Sequence, residues 1–153
     1  LAQLERLDEF LAIQKKNYTI LREALSVIPE IVFRRVPEGG EESYAFLSFF
    51  LPDEKMAQSV HKSLGEVGVD GCFYWYDNNW HYYRKWQHLT SLKSLGKLPQ
   101  EVYDQLPDYG KADFSKSDHW VGRNISCLIK LGWSEEEVKS RGQKMAEVIQ
   151  SAI

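Results

Sequence analysis

Hydrophobic residues at the start of the chain recur every three or four positions, with charged residues between them. The apolar positions are Leu1, Leu4, Leu7, Leu11, Tyr18, Leu21 and Leu25. This spacing places them on one face of a helix, so the pattern predicts an amphipathic helix over residues 2–27 that Pro29 terminates. Gln14 stands where the stripe requires an apolar residue. Because Leu1 is already in phase with the stripe and is not a methionine, we expect the sequence to be cut from a longer chain within this helix.

Two β-compatible runs come next, at residues 31–36 and 44–51, and the second is almost continuously apolar. Residues 38–42 between them are acidic and contain two glycines, which is the composition of a turn. The two runs therefore predict an antiparallel hairpin. A second helix is predicted to begin after Asp53, whose carboxylate can cap it, and to end before Gly68. Its apolar positions are Met56, Ala57, Val60, Leu64 and Val67.

A third strand is predicted at residues 69–76, and the pattern then becomes irregular over residues 77–116. Prolines and a glycine interrupt this segment, which predicts one short helix at residues 100–106. Ser117 is expected to cap a brief turn after it. A connection of this length with so little hydrophobic pattern commonly carries function.

The end of the chain has a clear pattern again. Residues 124–131 alternate between apolar and polar side chains and predict a fourth strand. Ser134 and Glu137 have the spacing of a capping box that opens a last helix. The inner face of that helix is formed by Val138, Met145, Val148, Ile149 and Ala152. The order of elements predicts an α+β fold, with a small, mostly antiparallel sheet and flanking helices.

The composition narrows the classes of protein that fit. A chain of 153 residues with 43% hydrophobic and 27% charged residues has the size and composition of one globular domain. The net charge of −3 argues against a nucleic-acid partner, and no apolar run approaches the roughly 20 residues that span a membrane. Cys72 and Cys127 are distant in sequence and are expected to remain unpaired, which favours a reduced, cytoplasmic setting.

The most unusual stretch is residues 71–89. It contains eight of the twenty aromatic residues and two of the four histidines. Aromatic residues that only fill a core are usually separated by aliphatic ones, whereas these alternate with His, Arg, Asn and Asp. The stretch therefore favours a surface that binds a flat, polar ligand. The alternative is a loop whose rings pack against each other.

Several segments, in this order, resemble parts of one known protein family. They are a long first helix with the run at residues 4–8 and Asn17–Tyr18, the strand at residues 44–51, a helix ending with the pattern L-x-x-x-G-V at residues 64–69, a tyrosine followed by a histidine at Tyr76 and His81, and the last strand and helix at residues 125–128 and 134–138. Together they resemble the C-terminal small domain of the DegT/DnrJ/EryC1/StrS sugar aminotransferases. The resemblance covers nearly the whole chain, through the order and spacing of its motifs.

The resemblance implies the small domain of the aspartate-aminotransferase fold, in an enzyme that depends on pyridoxal phosphate. It also implies a keto-sugar substrate, an amino-acid amine donor and a homodimer. Residues 71–81 and 117–124 look most like the branch that aminates C8 of an eight-carbon keto-sugar acid, making 8-amino-3,8-dideoxy-manno-octulosonate for lipopolysaccharide. One feature departs from the family: the proline usually found between the tyrosine and the histidine is replaced by Asn78 or Asn79.

Transamination with this cofactor requires a lysine that forms an imine with it, an acidic partner for its ring nitrogen and a cup for its phosphate. The family carries these groups mainly in its larger, N-terminal domain, and we find none of them here. Ser59 to Lys62 superficially resemble a cofactor-lysine motif. However, Val60 and Leu64 form the inner face of their helix, so Lys62 is predicted to point to solvent. The chain is therefore expected to be inactive alone.

The candidate substrate-binding residues lie near the ends of the predicted strands. His81 is expected to donate a hydrogen bond to a substrate hydroxyl or carboxylate, and Arg123 to pair with a carboxylate. Tyr76 and Trp80, together with Trp75, are expected to stack on a sugar face. The alternatives are a solvated loop histidine, an ordinary surface arginine and rings that pack the long insertion.

Other chemistry receives less support from the pattern. His119 follows Asp118 and could form an acid–base pair with it, although adjacent residues in a turn often only cap. The position of Cys127 in an alternating strand favours a core residue over a nucleophile. Cysteine and histidine spacings do not match those of a zinc site.

The sequence thus predicts one domain over residues 1–153 with an insertion at 77–116. Its predicted function is to close over substrate and cofactor in a sugar aminotransferase. The alternative is a free-standing carbohydrate-binding or protein-interaction domain without catalysis, which would use the aromatic stretch or the first helix's apolar stripe.

Overall fold

The computed structural model describes residues 3–78, 80–93 and 95–153. Their centre is a four-stranded sheet in the order β1-β2-β4-β3, in which every neighbouring pair is antiparallel. The strands are β1 (Val32–Phe33), β2 (Phe46–Phe50), β3 (Cys72–Phe73) and β4 (Asn124–Leu128). The predicted α+β class with a small antiparallel sheet is confirmed.

Six α-helices accompany the sheet in the described part of the chain. They are α1 (Leu7–Leu25), α2 (Glu54–Glu66), α3 (Gln87–Thr90), α4 (Gln100–Tyr103), α5 (Ser115–Val121) and α6 (Glu135–Ala152). Single 3₁₀ turns occur at Leu4–Arg6, Trp75–Asp77, Tyr83–Lys85 and Tyr109–Lys111. None of the helices that the structure describes is long and apolar enough to cross a membrane.

The core lies between one face of the sheet and the three long helices α1, α2 and α6. Alternate residues of β2 and β4 point into it, including Leu47, Phe49 and Ile125, each of which is fully buried. Helices α1 and α6 approach closely at Gly142, where an added Cβ would lie 2.8 Å from the Cβ of Ala24. Within the described ranges, none of these three long helices packs on the other face of the sheet.

The first helix confirms the predicted stripe only in its second half. Tyr18, Leu21 and Leu25 are buried against the core, whereas Leu4 and Leu7 are exposed. The regular helix begins at Leu7, later than predicted, after a 3₁₀ turn. The predicted start at residue 2 lies outside the described residues, as does Leu1.

The hairpin and the caps agree with the sequence-based predictions. Strands β1 and β2 pair with Phe33 opposite Phe49, although β1 is only two residues long. The Asp53 carboxylate caps α2 by accepting a hydrogen bond from the Met56 amide at 2.8 Å. Gly68 follows that helix with φ +77°, a conformation that favours glycine. At the start of α6 the predicted capping box of Ser134 and Glu137 is present.

The third strand is much shorter than predicted. After Phe73 the chain leaves the sheet because the buried ring of Tyr74 turns inward, where its hydroxyl donates to the Gly122 carbonyl at 2.8 Å. The fourth strand ends at Leu128, three residues earlier than predicted. Its alternation is present, with Ile125 and Cys127 in the core and Asn124 and Ser126 on the other face, where they are also buried because β4 is an inner strand.

The irregular segment at residues 77–116 contains the predicted short helix, as α4, and is fastened to α5. Tyr82 is buried and donates its hydroxyl hydrogen bond to the Asp118 carboxylate, which also forms an ion pair with Arg84. The prediction that Ser117 caps a turn is wrong, because Ser117 lies inside α5. The segment is thus attached through the hydrogen-bonded cluster of Tyr82, Arg84 and Asp118.

Candidate functional site

The face of the sheet that the long helices leave open carries both aromatic and polar side chains. Phe46, Ser48 and Phe50 alternate with the core residues of β2, so they point to this open face. The register of β2 with β4 places Asn124 and Ser126 beside them, opposite Phe50 and Ser48 respectively. This open face therefore presents rings and polar groups together on one surface.

A chain of hydrogen bonds runs along the middle of the open face. Asn124 Nδ2 donates to the Phe49 carbonyl at 3.1 Å, and Ser126 Oγ donates to Asn124 Oδ1 at 3.0 Å. The Oγ atoms of Ser126 and Ser48 are 2.8 Å apart. Because the Ser126 proton is already used, Ser48 donates to Ser126 and keeps its own oxygen lone pairs free toward the open face. Ser48 can therefore accept a hydrogen bond from a ligand hydroxyl or amine.

Aromatic rings form the walls on either side of these polar groups. The ring of Trp75 stacks on Phe73, with centroids 4.8 Å apart and planes within 5°, and meets Phe46 edge-on at 6.2 Å. On the other side Trp120 meets Phe50 edge-on at 5.1 Å. Contacts of this kind hold both tryptophans in defined orientations, which favours binding of a flat or ring-shaped ligand between them.

The walls enclose a cleft of about 470 Å³, within the range of small-molecule sites. We name it the open-face cleft. It is lined by Arg34, Ser48, Phe50, Trp75, His81, Trp120, Val121 and Asn124. His81 meets Trp75 edge-on, with ring centroids 4.5 Å apart. The Arg34 guanidinium is at the rim and forms an ion pair with Glu42, whose carboxylate also accepts from the Tyr18 hydroxyl at 3.2 Å.

The four predicted substrate residues do not meet in one place. His81 lines the open-face cleft. Tyr76 and Arg123 line a second cleft of about 350 Å³, with Asp53, Glu54, Ser115, Asp118, His119 and Gly122 also in its wall. Trp80 is 76% exposed and lines neither cleft. The intervening Asn79, the second candidate for the missing family proline, lies outside the described residues. The substrate roles of all four remain predictions.

Arg123 makes contacts that fasten α5 to the sheet. Its Nε donates to the Leu51 carbonyl at 2.6 Å, and its Nη1 lies 2.6 Å from Nε2 of His119. The guanidinium also sits over the ring of Trp120, 5.2 Å from its centroid. Arg123 therefore positions Trp120, one wall of the open-face cleft, whatever it does toward a substrate.

Asp118 and His119 have separate partners and do not form the acid–base pair considered above. The Arg84 hydrogen bond holds the pKa of the Asp118 carboxyl below its ordinary value, so Asp118 is an anion at neutral pH. Burial raises the pKa of Tyr82, and its hydrogen bond to Asp118 raises it further, so its phenol stays neutral. Both pKa shifts arise where the insertion packs against α5.

The lysines of this chain do not fit a pyridoxal-phosphate site. Such a lysine is normally held in a desolvated pocket beside the cofactor. Lys130 is half-buried but forms an ion pair with Asp70, and the other lysines are exposed. As predicted, Lys62 points to solvent: its side chain is 80% exposed, with its Nζ 3.8 Å from Glu66. Among the described residues we also find no cluster of His, Cys, Asp or Glu that could hold a metal ion.

Sequence reasoning missed the central residues of the open-face cleft. Ser48 interrupts the apolar run of β2, and this single polar position was the signal that one face of the strand is not core. Asn124 is the first residue of the predicted fourth strand and Trp120 lies in a stretch that carries the resemblance, but neither position indicates a site. Their contact with Phe50 and Ser48 depends on pairing between strands more than 70 residues apart, which periodicity within one segment does not reveal.

Comparison with known proteins shows what part of a larger fold this architecture matches. No family model matches the chain. The crystal structure of 3-amino-5-hydroxybenzoic acid (AHBA) synthase matches 98% of this chain and 37% of its own, with 19% identity and a TM-score of 0.61. The aminotransferase TlmJ from Streptoalloteichus hindustanus matches 98% of this chain and 34% of its own, with 18% identity and a TM-score of 0.63.

These likenesses show that the chain has the fold of one portion of each of these two proteins. It spans about a third of the length of the two structures it matches. The chain is thus an α+β unit, and the unit that it matches in those two proteins is part of a larger polypeptide.

Proposed function

We propose that this chain is the substrate-closing small domain of a pyridoxal-phosphate-dependent sugar aminotransferase of the DegT/DnrJ/EryC1/StrS type. The observation that carries the proposal is the combination of two features. Over 98% of its length, the chain matches about a third of AHBA synthase and about a third of the aminotransferase TlmJ. The sheet also presents a ring-walled cleft on the face that the long helices leave uncovered.

In this proposal the cofactor is held by a part of the enzyme outside residues 1–153, and this chain supplies the opposite wall. Trp75 and Trp120 exclude water from the bound substrate, which strengthens the electrostatic interactions there. Ser48 accepts a hydrogen bond from a sugar hydroxyl, and His81 donates one at the rim. Closure of such a domain also fixes the orientation of the substrate before the reaction.

The proposed substrate is a keto-sugar, with an amino acid as amine donor. The resemblance of residues 71–81 and 117–124 supports an eight-carbon keto-sugar acid used for lipopolysaccharide. An acidic substrate would be matched by the cations near the two clefts, Arg34 and Arg123. We further propose a homodimer in the cytoplasm, on the same resemblance. Arg34 already pairs with Glu42, so a substrate carboxylate would have to compete with that ion pair.

Substitution of His81 in the intact enzyme tests the position of the site. We expect His81→Ala to raise the KM for the keto-sugar about tenfold, the effect of removing one hydrogen bond to a polar ligand. The matched control is His88→Ala, because His88 is an exposed histidine of the same insertion that lines neither cleft. Equal effects of the two substitutions on KM would contradict the proposal.

A carbohydrate-binding module is the second candidate, because the rings of Trp80 and Trp120 are 76% and 47% exposed. Titration of the isolated chain with acidic and neutral sugars separates the two functions. Tight binding that Trp80→Ala abolishes would support the module. Weak or undetectable binding agrees with a domain that needs the rest of an enzyme to complete its site. A protein-interaction domain would instead use the exposed Leu4 and Leu7 of the first helix.

A further inference from the structure

The two cysteines of the chain face each other across neighbouring strands. Cys72 of β3 is the register partner of Cys127 of β4, and their sulfur atoms are 2.6 Å apart. Both are free thiols. The sequence predicts that they remain unpaired, and both are free in the structure, although the antiparallel pairing of β3 with β4 brings them together.

The hydrogen bonding around this pair defines its geometry. The Leu128 amide donates to the Gly71 carbonyl at 2.9 Å, which makes the adjacent pair, Gly71 with Leu128, the hydrogen-bonded one. Cys72 and Cys127 therefore form a non-hydrogen-bonded pair, the type in which Cα atoms are about 4.5 Å apart and side chains are closest. That spacing lies within the range that a disulfide spans, about 4.4–6.8 Å.

The two thiols differ in accessibility and in reactivity. Strand β3 is at the edge of the sheet and Cys72 is half-buried, whereas Cys127 is only 2% exposed. The hydrogen bond from Cys127 lowers the pKa of the Cys72 thiol, and the same contact together with burial raises the pKa of Cys127. The thiolate is the reactive form, so an oxidant meets Cys72 first.

We propose that Cys72 and Cys127 form a reversible intramolecular disulfide when the protein meets a small-molecule disulfide such as oxidised glutathione. Cys72 attacks one sulfur of that disulfide and expels the first thiolate, which gives a mixed disulfide. Cys127 then attacks the Cys72 sulfur and expels the second thiolate. Two protein thiols become one protein disulfide, one glutathione disulfide becomes two thiols, and the two protons pass to the released thiolates.

The bond would fasten the edge strand, which is only two residues long, to the inner strand β4. Trp75, which lines the open-face cleft, lies two residues beyond the end of this edge strand. The cysteine pair packs against the core face of the sheet and lines no part of the open-face cleft, so the modification does not depend on what the cleft binds. Its test is independent of the proposed aminotransferase function.

The experiment treats the full chain with excess oxidised glutathione at neutral pH, followed by denaturation, alkylation of remaining thiols and intact-mass analysis. We expect a monomer without alkylated cysteines that has lost the mass of two hydrogen atoms. Dithiothreitol should restore both thiols. Two alkylated cysteines, a persistent glutathione adduct on Cys72 or a disulfide-linked dimer would each overturn the proposal.

Two variants test the order of the steps. Cys127→Ser should stop at a glutathione adduct on Cys72, whereas in Cys72→Ser the buried Cys127 should remain a free thiol. Adduct formation on Cys127 in the second variant would contradict the assigned order. The Tm of the oxidised wild-type chain should rise by several degrees, because the bond closes the long stretch between the two strands. A lower Tm would contradict the claim that the native register already fits the bond.

Discussion

A close contact between two helices of the core depends on a residue without a side chain. Gly142 of α6 lies against Ala24 of α1, and a Cβ added there would be only 2.8 Å from the Ala24 Cβ. Glycine usually weakens a helix, so its presence here is explained by the packing of the two helices rather than by local preference.

We expect Gly142→Ala to lower the free energy of unfolding by about 1–3 kcal/mol, because overpacking outweighs the gain in helix propensity. Urea denaturation measures the change. The matched control is Gly65→Ala in α2, where a Cβ would meet nothing within 4 Å. That change should raise stability by about 0.5–1 kcal/mol. Stabilisation by both substitutions would show that α1 and α6 are further apart than described.

At the residue scale, local chemistry could be predicted and distant contacts could not. Asp53 and Ser134 were recognised as helix caps because a cap acts on amides within three residues of it. The hydrogen bonds joining Ser48, Ser126 and Asn124 depend on strand register, which the single sequence does not specify. The contact between Cys72 and Cys127 also depends on strand register, so it could not be predicted either.

Among the elements, the irregular insertion at residues 77–116 is attached to α5 by a hydrogen bond and an ion pair. Asp118 of α5 accepts hydrogen bonds from the Tyr82 hydroxyl and the Arg84 guanidinium, and its side chain is 20% exposed. The Arg84 contact lowers the pKa of the Asp118 carboxyl in the folded state. The ionised carboxylate therefore stabilises the fold.

Asp118→Asn removes this charge and should lower the free energy of unfolding by about 1–2 kcal/mol at neutral pH. Because the folded pKa is lowered, the stabilisation is complete above the unfolded value of about 3.9 and is lost as pH falls through the folded value. Denaturation curves measured from pH 7 to pH 3 should thus show the free energies of unfolding of the wild type and Asp118→Asn converging below about pH 4. The control is Asp104→Asn, an exposed position on the same insertion. If the difference in free energy of unfolding between the wild type and Asp118→Asn stayed constant down to pH 3, the ionised Asp118 carboxylate would not be its source.

The elements that sequence patterns predicted well are those with a strong period and a local boundary. Helices α2 and α6 match their predicted starts, and the β1–β2 hairpin pairs as expected. The third strand was predicted too long, because Tyr74 packs inward through a hydrogen bond to Gly122, a residue 48 positions away. In such cases a tertiary contact overrides the local preference for extended structure.

On the scale of the whole molecule, the two faces of the sheet differ in a way that the proposed function explains. One face is covered by three amphipathic helices, whose stripes the sequence predicted. The other carries the rings of Trp75 and Trp120 around a polar centre. The class of fold followed from the order of elements, whereas the cleft required the arrangement of β2, β4 and α5 in space.

The central claim is that this chain closes an aminotransferase site whose cofactor lysine lies elsewhere in the enzyme. The most direct measurement uses the gene product at its natural length, incubated with pyridoxal phosphate, reduced with borohydride and mapped by peptide mass. We predict one pyridoxyl group per polypeptide, on a lysine outside residues 1–153. Stoichiometric labelling of a lysine within these residues, or no stoichiometric labelling at all, would contradict the claim.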